Sequence, residues 1–288
     1  MVITKLLGGT GNQMFQYAFG RNLALKNNCS LKLNLSFFEK SDSRTFSLEH
    51  FSAVFDSAAP GEIEQIIQKQ SSKLNELKRK VLKSRPYVIY EKTLEFDPQN
   101  LETQQDVYVD GYWQSEKYFL GSSEQIRKDF KIKTAPSAKN AAMLSKIQSV
   151  NAVSLHVRRG DFLDNELNKI HGTCSIEYYE RAADLISKQT TNPVFFIFSD
   201  DLNWARENIK LQQDLVVVDI NDDKAAHEDL RLMSGCRHHI VANSSFSWWG
   251  AWLNPRPDKI VVAPKKWFND PELNRQSRTI VPESWIRL

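Results

Sequence analysis

Short apolar runs rich in β-branched and aromatic residues alternate with longer mixed stretches along this chain. In its second half the strand-like runs are residues 152–157, 194–198, 215–218, 239–242 and 260–263. Helical stretches at 176–188, 202–208, 227–236 and 246–253 separate them. Continuous apolar runs mark strands covered on both faces, and their alternation with helices predicts a doubly wound parallel sheet with right-handed crossovers.

The first half opens the same way. Residues 3–7 read as a strand and Gly8-Gly9-Thr10-Gly11 as the turn after it. A helix from about Asn12 to Asn27 and a second strand at 31–35 complete a strand–helix–strand unit. Residues 61–82 are helical and polar, 87–90 and 107–109 are candidate strands, and 140–147 forms a short closing helix. The polar stretch 136–150 is the expected boundary. The predicted architecture is therefore α/β: two Rossmann-like domains, 1–148 and 149–288, facing one another across a cleft.

Composition narrows the function classes. A chain of 288 residues exceeds what one core usually serves, in keeping with two domains. Lys and Arg (38) nearly match Asp and Glu (35), and a formal charge of +3 gives no field that argues for nucleic acid or a membrane surface. The densest basic stretch, 69–85, reads as one face of a surface helix, with a weak contact to anionic lipid left open. Three scattered cysteines, Cys29, Cys174 and Cys236, speak against a disulfide framework or a zinc site. Without a signal-peptide core or an apolar stretch of about 20 residues, a cytoplasmic location is expected.

Candidate chemistry gathers at the ends of the expected strands. His156-Val157-Arg158-Arg159-Gly160-Asp161 leaves the strand at 152–157. In an open α/β sheet that place faces the ligand crevice, and the planar Arg fork suits paired phosphate oxygens. The alternative is a solvated charged turn. Asn243-Ser244-Ser245-Phe246-Ser247-Trp248-Trp249 leads from a strand into a helix, where small hydroxyls serve as caps or as phosphate ligands. Trp248, Trp249 and Trp252 are expected to pack. Ser199-Asp200-Asp201 also ends a strand; its paired carboxylates suggest a metal, or else Asp200 or Ser199 caps the helix holding Trp204.

Around the first turn the dinucleotide fingerprint lacks its third glycine, and no Gly-Lys-Ser/Thr follows. The turn still delivers Asn12 and Gln13 to a helix start, to meet an anion or a sugar hydroxyl or, for Asn12, merely to cap the helix. No Asp-x-Asp and no ligand-spaced His/Asp/Glu cluster occurs, so a metal-independent mechanism without cofactor is the simpler reading. A Gly-x-Ser-x-Gly elbow is absent as well. Asp229 falls on a helix that follows a strand of the second half. A cleft lined by arginines fits a sugar nucleotide.

At this point a family resemblance appears. Gly8-Gly9-Thr10-Gly11-Asn12-Gln13-Met14-Phe15-Gln16-Tyr17-Ala18, Gly111-Tyr112-Trp113-Gln114-Ser115, the His156 to Asp161 run, the Asn243 to Trp249 run and Pro264-Lys265-Lys266-Trp267-Phe268 resemble bacterial alpha-1,2-fucosyltransferases, in order over nearly the whole chain. The second-half elements also resemble the wider group with alpha-1,6- and protein O-fucosyltransferases. The resemblance implies a GT-B-type fold, GDP-L-fucose as donor, inversion at the anomeric carbon, and no metal.

Carried over by position, the resemblance puts Arg158 on the donor β-phosphate and His156 and Asp229 on guanine. Ser244, Ser245 and Phe246 would lie near the phosphates, and Asn12 near the glycosidic oxygen. Thr10 stands where the family more often has Leu. Asp161 is the candidate base, or else the group that holds Arg158 or Arg159 in place. Gln114 and Trp113 offer an amide and an aromatic face to the acceptor, with a structural role as the equal alternative for Trp113; for the acceptor the resemblance suggests a terminal β-galactoside of an O-antigen or capsule glycan. The competing readings are a fucosyltransferase of another linkage, alpha-1,6 or alpha-1,3, and a non-catalytic GDP-sugar-binding protein.

Overall fold

The glycine turn and its flanks form strand β1 (Val2–Lys5) and helix α1 (Thr10–Lys26), followed by β2 (Leu31–Asn34). The computed structural model describes residues 1–41, 44–72, 85–103, 106–160 and 165–288. It divides into two units, Met1–Lys133 and Thr134–Leu288.

The first unit continues with β3 (Asp56–Ser57), α2 (Pro60–Ser71), β4 (Val88–Tyr90), β5 (Val107–Asp110) and α3 (Ser123–Asp129). Its sheet runs β3-β2-β1-β5-β4 with every pairing parallel, so the winding reverses between β1 and β5. Helix α1 is buried on both sides because the sheet covers one face and a layer of aromatic rings the other. Phe19 lies 4.3 Å from Trp113, and Tyr17 lies 5.4 Å from Phe130, between ring centroids. Gly20 lets this helix touch the sheet: a Cβ there would meet Thr4 Oγ1 at 2.0 Å.

The second unit begins with α4 (Ala138–Gln148) and β6 (Asn151–Val157). Then come α5 (Asn165–Ile170), α6 (Ile176–Ser187), β7 (Pro193–Ser199), α7 (Leu202–Asn208) and β8 (Asp214–Val217). Helix α8 (Ala226–Gly235), β9 (His238–Ile240), α9 (Ser245–Leu253), β10 (Val261–Ala263), α10 (Pro271–Gln276) and β11 (Ile286–Arg287) complete it. The six strands are all parallel in the order β11-β10-β9-β6-β7-β8, the doubly wound arrangement, with its reversal between β6 and β9.

Both faces of this sheet are covered, which is why its strands read as unbroken apolar runs. Val153, Leu155, Phe195 and Ile197 pack with Tyr179, Ala182 and Ile186 of α6. On the opposite face Ala152, Phe196 and Phe198 pack with Leu232 and Met233 of α8 and with Ile147 of α4. That last contact moves the division between units to 133/134, ahead of the expected 148/149. The closing helix of the first half belongs to the second core.

Candidate functional site

Chains leaving the carboxyl ends of adjacent strands diverge where a parallel sheet reverses, and the opening between them accepts ligands. In the second sheet the two chains are Arg158-Arg159-Gly160 after β6 and the segment from Val241 to Ser245 after β9. Arg158 Nη1 lies 2.9 Å from Asp200 Oδ2 beyond β7, with both side chains partly exposed. The other oxygen of Asp200 accepts the Arg159 backbone N–H at 2.9 Å. Gly160 passes so close that a Cβ would sit 2.5 Å from Asp200 Oδ2.

Arg159 is held differently. Its guanidinium carbon lies 3.9 Å from the centroid of the Trp204 ring, and its Nε lies 3.5 Å from Asp201 Oδ2. Asp201 also caps α7, with Oδ1 accepting Trp204 N–H at 3.1 Å. The helix cap is therefore Asp201 and not the expected Asp200 or Ser199, because Asp200 is turned to the arginines and the Ser199 hydroxyl accepts the Asp201 N–H. Asp200 and Asp201 hold Arg158 and Arg159, the task considered for Asp161. Asp161 itself lies outside the described residues, as do residues 73–84 of the basic stretch.

His156 sits on β6 with its ring centroid 5.9 Å from that of Phe246. Its Nδ1 is buried without a hydrogen-bond partner. Burial, with the charge of Arg158 adding to it, pushes its pKa down to about 3, so the ring is neutral. Phe246, in the first turn of α9, reaches into the cluster holding Leu232 and Met233 of α8. Helix α8 carries Asp229, whose Oδ1 accepts Asn221 Nδ2 at 2.7 Å. Asn221 in turn exchanges two amide hydrogen bonds with Asn140, at 2.8 and 3.0 Å.

Ser244 is the N-cap of α9, its Oγ accepting Phe246 N–H at 3.3 Å, which leaves Ser245 at the first helical position. Neighbouring Asn243 is structural: its Nδ2 donates to the carbonyls of His171, Gly172 and Trp267 at 3.0, 3.1 and 3.2 Å. Trp248, Trp249 and Trp252 are buried and pack on one another as expected. His239 is a satisfied core histidine between Ser154 Oγ at 2.7 Å and Asn254 Nδ2 at 2.8 Å.

In the first unit the reversal lies between β1 and β5. Helix α1 starts at Thr10, ahead of the expected Asn12, and Gly9 is its N-cap, so Asn12 does not cap it. Instead Asn12 Oδ1 accepts Gln114 Nε2 at 2.8 Å, joining the chains that leave β1 and β5. Gln13 is taken up by the turn: it donates to Gly8 O at 3.0 Å and Thr45 O at 2.9 Å and accepts Ser47 N–H at 2.9 Å.

Trp113 takes the structural one of its two expected roles. It is fully buried, adopts φ +56°, and packs edge-on against Tyr118, 5.4 Å between centroids. Such a ring offers no face to an acceptor. The exposed aromatic groups here are its neighbour Tyr112 and, across the strand pair, Tyr90. Beside them Lys5 Nζ pairs with Asp110 Oδ2 at 2.9 Å. Sequence reasoning passed over Tyr112, Tyr90 and the Lys5–Asp110 pair because only the sheet register assembles them; the exposed aromatic in Gly111-Tyr112-Trp113 was the available signal.

Comparison with known proteins identifies the family. All of residues 1–288 match the family model described as glycosyl transferase family 11. The chain belongs to this family. An alpha-1,2-colitosyltransferase of Escherichia coli is 35% identical over 299 residues, covering 100% of this chain and 99% of that one. The O-antigen biosynthesis glycosyltransferase WbnK of Escherichia coli is 32% identical over 306 residues, covering 98% and 99%. Among solved structures, NodZ alpha-1,6-fucosyltransferase soaked with GDP-fucose superposes with a TM-score of 0.51 at 16% identity, covering 91% of this chain and 94% of that one. That likeness bears out the α/β, GT-B-type fold class of this family 11 member. Among the described residues no helix is long and apolar enough to cross a membrane.

Proposed function

We propose that this family 11 glycosyltransferase transfers L-fucose from GDP-L-fucose to the 2-hydroxyl of a terminal β-galactoside, with inversion and without a metal ion, in O-antigen or capsule glycan assembly. The observation that carries the reading is the Arg158–Asp200 pair just past the end of β6, which with β9 bounds the reversal point of the second sheet.

In the proposed step the acceptor oxygen attacks the anomeric carbon as the bond to the diphosphate oxygen breaks. Positive charge grows on the sugar ring and negative charge on departing GDP. The Arg158 guanidinium and the positive N-terminal end of α9 supply the compensating charge, in the role a divalent cation plays elsewhere. Arg159, held over Trp204 and beside Asp201, ties the start of the loop to α7. Neutral His156 and Asp229 supply hydrogen-bonding groups for the base, with Phe246 as an apolar neighbour. On the acceptor side the Gln114–Asn12 pair provides amide groups for sugar oxygens. Asp161 is the candidate carboxylate to take the acceptor proton.

A second donor is favoured by one observation, the full-length similarity to an alpha-1,2-colitosyltransferase. Colitose is fucose without its 3-hydroxyl, so the same phosphate and guanine contacts serve both. Supplying the protein with lactose and either GDP-fucose or GDP-colitose, then assigning the product linkage by NMR, tests the reading. An alpha-1,2-fucosylated galactoside supports it. Exclusive transfer of colitose, or another linkage, would replace it.

A further inference from the structure

Glu91 follows β4 in a polar turn that carries no motif. Its carboxylate accepts two successive backbone N–H groups from the turn after β5: Oε2 from Tyr112 at 2.6 Å and Oε1 from Trp113 at 3.0 Å. The Glu91 N–H donates to Asp110 O at 2.9 Å, which fixes it beside the strand end whose turn it holds. Gly111 is required by this approach, because a Cβ there would come within 2.3 Å of Glu91 Cβ.

The turn so held is not one the chain adopts freely. Trp113 has φ +56°, a left-handed conformation that costs a bulky L-residue energy. Burial of its ring against Phe19 and Tyr118 fixes one end of the turn, and Glu91 fixes the backbone. The next residue is Gln114, whose amide reaches Asn12 Oδ1 at 2.8 Å. One continuous set of bonds therefore runs from the Glu91 carboxylate through two peptide units to the Gln114–Asn12 pair.

We infer that Glu91 is a positioning residue that sets the Gln114–Asn12 pair and, through it, the acceptor half of the reaction. The statement about the reaction rests on the function proposed above; the statement about the pair does not.

Accepting two N–H groups at once requires the carboxylate. In the protonated acid one oxygen becomes a hydroxyl that must donate and accepts poorly. Burial pushes Glu91 up to about 7, against the lowering effect of its two N–H partners. The titratable groups facing it are the phenols of Tyr112 and Tyr118, and Tyr112 in turn faces the Lys5–Asp110 pair. The hold on the turn thus loosens as pH falls through neutrality.

Stability moves the other way. A carboxyl raised above its usual value binds more protons in the native state than in the unfolded state between roughly pH 4.5 and 7. Its contribution to stability therefore grows as pH falls through that window. A carboxylate that merely scaffolded the fold would lose activity and stability together.

The test follows backbone amide signals of Tyr112 and Trp113 and the side-chain amide of Gln114 by NMR from pH 5.5 to 8.5, in wild type and in Glu91→Gln. The same samples give kcat and KM for lactose, GDP affinity and Tm. The expected result is a shared titration near pH 7 that disappears in the variant. With it go a low-pH limb in wild-type kcat, a variant kcat at least tenfold lower at pH 8 and unchanged GDP affinity. Signals that do not titrate, or a variant with the wild-type profile, would overturn the inference. Intact titration in a protein that transfers no sugar would instead fault the proposed function. Should Glu91→Gln fail to fold, the wild-type titration alone decides, with Glu91→Asp as the replacement variant.

Discussion

The Asp200 carboxylate divides its two oxygens between neighbouring arginines: Oδ2 lies 2.9 Å from Arg158 Nη1, and Oδ1 accepts the Arg159 backbone N–H at 2.9 Å. One side chain after β7 therefore sets both the charge and the backbone of the loop after β6. The ion pair is partly exposed, so its contribution to stability is small, and its value lies in orientation.

Replacing Arg158 separates these roles. Arg158→Ala is expected to lower kcat by roughly 10²–10³, the scale of losing one aimed electrostatic donor. Arg158→Lys should be nearly as poor, since an ammonium cannot copy the fork. Asp200→Asn keeps the acceptor for Arg159 and loses only the charge, so a milder fall with unchanged Tm is expected. Steady-state kinetics and thermal melts of the three variants check this, and wild-type turnover in Arg158→Ala would remove Arg158 from the mechanism.

His156 gives a pH prediction. Its folded pKa, near 3, lies below the unfolded value, so the native state binds fewer protons between about pH 6.5 and 3. Stability should therefore decline as pH falls through that window. His156→Asn should flatten the decline, although His239, also buried and depressed, leaves some of it in place. Urea unfolding at pH 7, 6 and 5 gives the comparison; parallel curves for both proteins would show that His156 is not buried neutral.

Trp113 and Tyr112 are adjacent and should behave in opposite ways. Trp113→Ala opens a cavity in a packed aromatic layer and should cost about 3–5 kcal/mol. Tyr112→Ala, at an exposed ring, should leave Tm within a few degrees and raise the KM for the acceptor. Denaturant unfolding and acceptor titrations distinguish the two, and a stable Trp113→Ala would contradict the packing role.

A third substitution tests the helix–sheet contact. Gly20→Ala would push a methyl group to within 2.0 Å of Thr4 Oγ1, and overpacking of this kind costs roughly 1–3 kcal/mol. Pairing it with Thr4→Ala should restore part of the loss, which a double-mutant cycle measures.

Some of this was legible in the chain and some was not, for physical reasons. Strands β6 and β7 stood out because both sheet faces are covered, leaving uninterrupted apolar runs. The two-residue edge strands β3 and β11 are too short and exposed to leave a pattern. Arg158 was visible because two arginines beside a histidine and an aspartate are rare after a strand. Asp200 was visible only as an ambiguity between metal and cap, since its partners come from another strand's end. Trp113 stayed open between acceptor face and packing because one letter cannot say whether a ring faces solvent or core, and here its left-handed backbone turns it inward. Glu91 left no signal: the N–H groups it accepts lie 21 and 22 residues further on, and only the β4–β5 register brings them together.

The central claim is that arginine and helix N–H groups, not a metal ion, stabilise the departing diphosphate. GDP release from purified protein given GDP-fucose and lactose, with and without EDTA, tests it most directly. The account predicts release that depends on lactose, is unchanged by EDTA, and falls by two to three orders of magnitude in Arg158→Ala. Release abolished by EDTA and restored by a divalent cation would contradict it.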